Sequence, residues 1–203
     1  MWTSPSSLKW SKRLCWGRIA CMSFKRILEL DSRLTEKLRL HETKSKWRPL
    51  GIFLAHSGDS WFILAALLIV WLVTKGNWHR LSALMAAGAL ILAVVVIIIK
   101  FSIRRRRPEG KWGAIYRNTD PHSFPSGHAA RTAMLAVVAL ALGPAWFGVL
   151  VVIWAPLVSL ARVWMGVHYV SDVVVGILVG ILAGLVVIEI SPWLQTTIPI
   201  IFA

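Results

Sequence analysis

From about Leu50 onward the chain alternates long apolar runs with short polar breaks. The runs cover about Ser60 to Thr74, Leu81 to Ile99, a stretch opened by Pro125-Ser126-Gly127 and closing near Leu142, Ala145 to Ala161, and Tyr169 to Ile190. Crossing a bilayer core of about 30 Å takes roughly 20 apolar helical residues. The pattern therefore predicts an all-α fold, an integral membrane helical bundle with about five transmembrane helices. The first run is short, so Leu50 to Ala55 either extends it or lies at the interface. Pro156 predicts a bend in the fourth. In the fifth, Gly176, Gly180 and Gly184 fall four apart, a small-residue seam for close helix packing, and Ser191-Pro192 ends it. Lys75 to Arg80 and Gly143-Pro144 read as turns on one side. With alternating spans, the polar stretches 100–124 and 162–168 both face the other side.

The front of the chain has a different rhythm. Between Phe24 and Leu40, Ile27, Leu28, Leu30, Leu34 and Leu38 recur at helical spacing with charges between them. This predicts an N-terminal amphipathic helix lying on the membrane surface, with a soluble coil-like helix as the alternative. Pro49 and Gly51 mark its end. Residues 1–48 thus form a basic amphipathic segment ahead of a transmembrane domain over 49–203.

Composition sharpens this. The 203 residues are 57% hydrophobic and carry a formal net charge of +14, with a mean hydropathy of +0.65. Such a charge can mark a nucleic-acid partner. Here the basic residues flank apolar blocks, which points to anionic headgroups and the cytoplasmic side instead. Twelve Lys and Arg fall between Lys9 and Arg48, against Lys75 and Arg80 in the opposite turn. The positive-inside rule then places the N-terminus and the polar loops in the cytoplasm of a multi-pass cell-membrane protein. Cys15 and Cys21 read as free thiols. Arg18 and Lys25 interrupt any apolar core that could serve as a cleavable leader.

Three polar clusters border the spans. Lys100 is followed after six residues by Arg107-Pro108. Pro125-Ser126-Gly127-His128 opens the third span. Arg162 is followed by His168 and Asp172, which share a face if the chain is helical from about His168. Taken alone, the last trio is equally readable as an interfacial salt bridge and a polar helix start. Lys100, Arg107 and Arg162 can neutralise a phosphate and match its oxygens. Ser126 and Gly127 begin a helix whose free N–H groups point at an anion. A carboxylate beside an imidazole fixes its tautomer and readies the other ring nitrogen for chemistry.

In this order, the three clusters resemble the type 2 phosphatidic acid phosphatase family, whose pattern also occurs in glucose-6-phosphatase and in soluble vanadium haloperoxidases. The resemblance spans Lys100 to Asp172 by motif and the flanking spans by pattern only. It implies a membrane lipid phosphatase acting on phosphatidate, phosphatidylglycerophosphate or a polyprenyl diphosphate. It assigns His168 as the nucleophile that becomes phosphohistidine, Asp172 as its orienting acid, and His128 as proton donor to the leaving oxygen. Lys100, Arg107, Ser126, Gly127 and Arg162 bind the phosphate, and no metal or cofactor is expected. The chain departs from the family at Ala161, where Ser is usual; Ser159, two residues earlier, faces elsewhere. Many members also have six spans.

Other polar residues have simpler readings. Arg104, Arg105 and Arg106 anchor a span end. Arg131 snorkels or pairs with Asp120 or a lipid phosphate. Asn118, Asp120 and His122 are loop polars, and His56 and Asp59 are polar groups at a helix start. Trp61, Trp78, Trp112, Trp146, Trp164 and Trp193 sit near span ends as an aromatic belt. Two other classes of function are compatible with intramembrane charge: a small transporter or channel with an anion site, and a membrane-anchored binding module. Neither explains the His–Asp spacing or the Pro-Ser-Gly-His helix start. The sequence does not name the lipid or the oligomeric state.

Overall fold

The computed structural model describes residues 18–39, 46–109 and 120–202. Cys15, Trp112 and Asn118, and the side chain of Cys21, lie outside the described residues. The helices are α1 (Arg18–Leu38), α2 (Arg48–Ser57), α3 (Ser60–Val73), α4 (Asn77–Ile103), α5 (Gly127–Leu142), α6 (Ala145–Trp164), α7 (Val170–Thr197) and α8 (Pro199–Phe202). Among the described residues the one β feature is an isolated bridge between Arg106 and His122.

All five apolar runs are helical. Three helices, α4, α6 and α7, are long and apolar enough to cross a membrane, and α2 with α3 makes a fourth candidate span bent by 54°. The remaining helix, α5, is apolar but only 16 residues long. At 1.5 Å per residue it reaches roughly 24 Å, short of the bilayer core. Its start is recessed, since a Cβ on Gly127 would touch Val96 of α4, one turn below Lys100. Apolar side chains such as Leu90, Ile91, Val94 and Ile98 point outward, while Leu84, Met85, Met134 and Val138 fill the centre. That is the packing a lipid solvent permits.

The glycine seam of α7 lies on α5. A Cβ at Gly180 would come within 2.0 Å of the Ala130 carbonyl oxygen, and one at Gly176 within 2.6 Å of the Ser126 oxygen. Glycine is therefore required for this approach. The contact delivers the start of α5 to the start of α7, where Ser126 N–H donates to the Asp172 carbonyl at 2.9 Å.

Two helix ends differ from expectation. Pro49 falls in the first turn of α2 rather than ending α1, a position where its missing N–H costs nothing. The last long helix runs through Pro192 to Thr197. Proline cannot donate to the Ile188 carbonyl, and Ser191 Oγ does so instead at 2.9 Å.

The amphipathic helix is present, with its faces set as a membrane surface demands. Ile27, Leu30, Leu34 and Leu38 are each more than 40% exposed, whereas Asp31 and Thr35 are buried. The polar stripe meets the protein and the apolar stripe looks away. Asp31 accepts from Ser171 N–H at 2.9 Å and Thr35 Oγ1 from Val170 N–H at 3.2 Å. These are two of the N–H groups that open α7 and have no partner within it.

Candidate active site

The turn 165–169 between α6 and α7 carries His168, 1% exposed, and the first turn of α7 carries Asp172, fully buried. Arg107 Nη1 lies 3.2 Å from His168 Nε2 and donates to the Val167 carbonyl at 2.9 Å. A guanidinium has only donors, so Nε2 must present its lone pair and the ring proton sits on Nδ1. Nδ1 in turn lies 3.6 Å from Asp172 Oδ2, too long for a hydrogen bond, and has no other partner among the described residues. Burial, then the charges of Arg107, Arg162 and Lys100, hold the His168 pKa well below the ordinary 6.5, against a smaller opposing pull from Asp120. The imidazole is thus neutral near pH 7, with its free electron pair turned toward Arg107.

Asp172 is held by others. Its Oδ1 accepts from Arg105 Nη1 at 2.6 Å, and its Oδ2 accepts from Tyr169 N–H at 2.9 Å, closing a capping box on α7. Arg105 is buried, sits over the Tyr169 ring at 3.9 Å, and reaches Asp31 Oδ2 with its other nitrogen at 2.6 Å. This corrects the reading of residues 104–106 as a uniform charge anchor. Arg104 and Arg106 are exposed, but Arg105 ties the surface helix α1 to the carboxylate beside His168.

Lys100 lies in the last turn of α4, and Arg104 terminates the helix in the left-handed region at φ 55°. Lys100 Nζ pairs with the Asp120 carboxylate. Arg107 Nη2 reaches the same oxygen at 2.7 Å, and Arg107 Nε donates to the Asp120 carbonyl at 2.7 Å. Burial alone would raise the Asp120 carboxyl, but Lys100 and Arg107 bring it below 3.8. The two ends of the polar stretch are pinned together by Ser123 N–H on the Arg105 carbonyl at 2.8 Å and by the Arg106–His122 bridge.

On α5, Ser126 is the N-cap, and its side chain accepts from Ala129 N–H at 3.5 Å. A Cβ on Gly127 would make only an ordinary 3.5 Å contact with Val96, and no other described residue crowds that position. His128 Nε2 lies 2.6 Å from Asp59 Oδ1, and Asp59 Oδ2 lies 3.0 Å from His56 Nδ1. Arg131, one turn on, is buried and donates to the Gly58 carbonyl at 2.7 Å rather than snorkelling or pairing with Asp120. Arg162, in the last turn of α6, is 1% exposed, and its charge acts on both His128 and His168. The structure therefore gathers Lys100, Arg107, Arg162, His168 and Asp172 around one buried point, with Ser126, Gly127 and His128 on the adjoining helix start.

Ala161 packs in a small apolar cluster with Ala55, Met165 and Val167. Ser159 lines an apolar cavity of about 270 Å³ between α5, α6 and α7, with Ala133, Ala136, Ala155, Ile177 and Ile181. The cavity lies one turn of α6 below Arg162. Among the described residues no group of three or more His, Cys, Asp or Glu is arranged to hold a metal ion; His56 and His128 take opposite oxygens of Asp59 rather than converging on a shared point.

Comparison with known proteins settles the lineage. The family model described as PAP2 superfamily matches residues 82–195. The chain belongs to the PAP2 superfamily. It is 36% identical over 138 residues to decaprenylphosphoryl-5-phosphoribose phosphatase of Mycobacterium tuberculosis, covering 66% of this chain and 75% of that one. It is 32% identical over 137 residues to undecaprenyl-diphosphatase of Sulfolobus acidocaldarius, covering 64% of each. The crystal structure of a transmembrane PAP2 type phosphatidylglycerolphosphate phosphatase from Bacillus subtilis superposes with a TM-score of 0.67 at 20% identity over 94% of both chains, a likeness of fold. The PAP2 matches bear out the resemblance drawn from the three clusters: the chain is a membrane phosphatase of lipid-linked phosphate.

Sequence reasoning placed Asp59 at a helix start, where it is the N-cap of α3, but missed its contact with His128, as it missed Asp31 and the buried role of Arg105. Asp31 carried a faint signal, an acid on the same helix face as Thr35 and apart from the Leu stripe. Nothing in sequence links Asp59 to His128, since 69 residues separate them.

Proposed function

We propose that His168, His128 and Asp172 carry the hydrolysis in this PAP2 phosphatase, and that Lys100, Arg107, Ser126, Gly127 and Arg162 hold the transferred phosphate. The observation that carries this reading is the His168 lone pair, fixed on Nε2 by Arg107 and aimed into the cationic pocket. A phosphate entering there takes over Arg107 and Lys100. The freed Nε2 attacks phosphorus, the P–N bond forms as the bond to the leaving oxygen breaks, and His128 gives that oxygen its proton. Asp172 then balances the imidazolium through Nδ1–H, the 3.6 Å gap closing as it does so. Water attacks the phosphohistidine, His128 takes the water proton, and phosphate leaves. The cations and the α5 start match the charge that spreads over the equatorial oxygens.

The test is phosphate release from detergent-solubilised protein. His168→Ala should abolish it and should fail to trap an acid-labile phosphoprotein. Undiminished turnover in that variant refutes the assignment. In the substrate panel, polyprenyl-linked phosphates come first, because the two relatives described above are named for decaprenyl- and undecaprenyl-linked compounds. The apolar cavity below Arg162 suits part of such a tail. Phosphatidate and phosphatidylglycerophosphate follow.

The basic excess of residues 1–48 favours a cytoplasmic α1 and, with it, a cytoplasmic active site in a cell-membrane protein. Single cysteines at Ser11 and Asn77 test this: labelling of the first from outside intact cells reverses the orientation.

A further inference from the structure

The mechanism above uses His128 but leaves unexplained what lies behind it. The chain bends by 54° between α2 and α3, and the break places Gly58-Asp59 against the first turn of α5. Asp59 touches His128 Nε2 at 2.6 Å and His56 Nδ1 at 3.0 Å. Gly58 lies flat beside the ring, where a Cβ would sit 3.2 Å from His128 Cδ2 and 2.6 Å from Val158 Cγ1. Its carbonyl is fixed by Arg131. A carboxylate in the break of an otherwise apolar helix pair is costly, and such residues stay where they are used.

We propose that Asp59 is the positioning residue for His128, a second His–Asp pair serving proton transfer as the His168–Asp172 pair serves attack; this rests on the phosphatase reading. A carboxylate only accepts, so the His128 proton nearest Asp59 is on Nε2, and Nδ1 is the nitrogen left to exchange a proton with the leaving oxygen. At His168 the order is reversed: Nε2 accepts from Arg107 and Nδ1 carries the proton. His168 is the neutral Nδ1–H tautomer with its electron pair toward phosphorus, whereas His128 begins the reaction as the imidazolium, with Nε2–H on Asp59, which balances the cation, and a second proton on Nδ1. In the first half-reaction the His128 Nδ1 proton passes to the leaving oxygen; in the second Nδ1 takes one from water, so the ring returns to its starting state. Asp59 keeps its charge throughout, and its second oxygen is anchored by His56, itself partly exposed.

Leaving-group dependence separates this role from a merely structural one. An alkyl phosphate needs a proton on its departing oxygen, whereas p-nitrophenyl phosphate departs without one. With whichever alkyl monophosphate lipid the wild type cleaves, Asp59→Asn should lower kcat/KM, which reports only the steps through departure of the leaving group, by about 100-fold or more, the scale of general-acid catalysis. With p-nitrophenyl phosphate the loss should stay under about tenfold, well below what losing such a proton donor costs. His128→Ala should show the same split, and the double variant should be no slower than His128→Ala. Inhibition by inorganic phosphate should be unchanged in Asp59→Asn, which reports an intact fold and cradle. If Asp59→Asn does not fold, Asp59→Glu, which keeps the charge but displaces it, is expected to give the same split. Equal losses on both substrates, or none on either, overturn the inference. A wild type that releases phosphate no faster than His168→Ala instead overturns the phosphatase reading itself.

Discussion

Arg105 Nη1 lies 2.6 Å from Asp172 Oδ1, both side chains being buried, while the other arm of Arg105 is the same distance from Asp31 of the surface helix. The acid beside the proposed nucleophile is therefore held through an arginine to which the motif pattern assigns no role and through a helix that the apolar runs do not include. The planar fork matters, because it meets both carboxylates and Ser171 Oγ at once, which a lysine ammonium on a flexible stem cannot do in fixed geometry.

Removing that arginine should leave two buried carboxylates uncompensated. Arg105→Gln is expected to destabilise the protein by about 3–5 kcal/mol, the usual cost of breaking a buried pair from one side. The double variant with Asp31→Asn should lose less than the sum of the two singles. Thermal unfolding in detergent measures both; strict additivity would deny the coupling.

Asp120 occupies the cations assigned to the phosphate. Lys100 and Arg107 hold its carboxyl below 3.8 in spite of burial, so it stays ionised at neutral pH and competes with any incoming anion. Asp120→Asn should therefore strengthen inhibition by inorganic phosphate, by up to about tenfold for a difference of about 1.4 kcal/mol. Weaker inhibition would mean that Asp120 arranges Lys100 and Arg107 rather than competing for them.

The pH profile follows from His168. The attacking ring must be neutral, and its pKa lies well below 6.5 through burial and the nearby charges of Arg107, Arg162 and Lys100. Protonation removes the nucleophile, so activity is lost only as pH falls through that lowered value. The acid limb of kcat/KM should fall below pH 6.5, and a limb at or above it would contradict the electrostatics described here.

The α5–α7 contact predicts a stability effect without any chemistry. Gly180→Ala would push a methyl within 2.0 Å of the Ala130 carbonyl oxygen. Backbone on both sides leaves no side chain to move aside, and overpacking of this kind costs about 1–3 kcal/mol. A melting temperature equal to wild type would show that the helices separate freely at this point.

The sequence by itself determined the helices, because uncharged runs of bilayer length admit little else once every backbone group must be satisfied internally. It also determined the phosphate chemistry. Lys100, Ser126, His128, Arg162 and Asp172 stand at helix ends, and Arg107 and His168 in the short segments that follow α4 and precede α7, so few residues separate the members of each cluster. Tertiary structure alone decided which side chains stand behind those groups. Asp31 meets Arg105 across 74 residues and Asp59 meets His128 across 69, through a surface helix turned polar side inward and a span broken at Gly58. No local periodicity records such a meeting, since it depends on how rigid helices pack, and that was set by the absence of a Cβ at Gly176, Gly180 and Gly58.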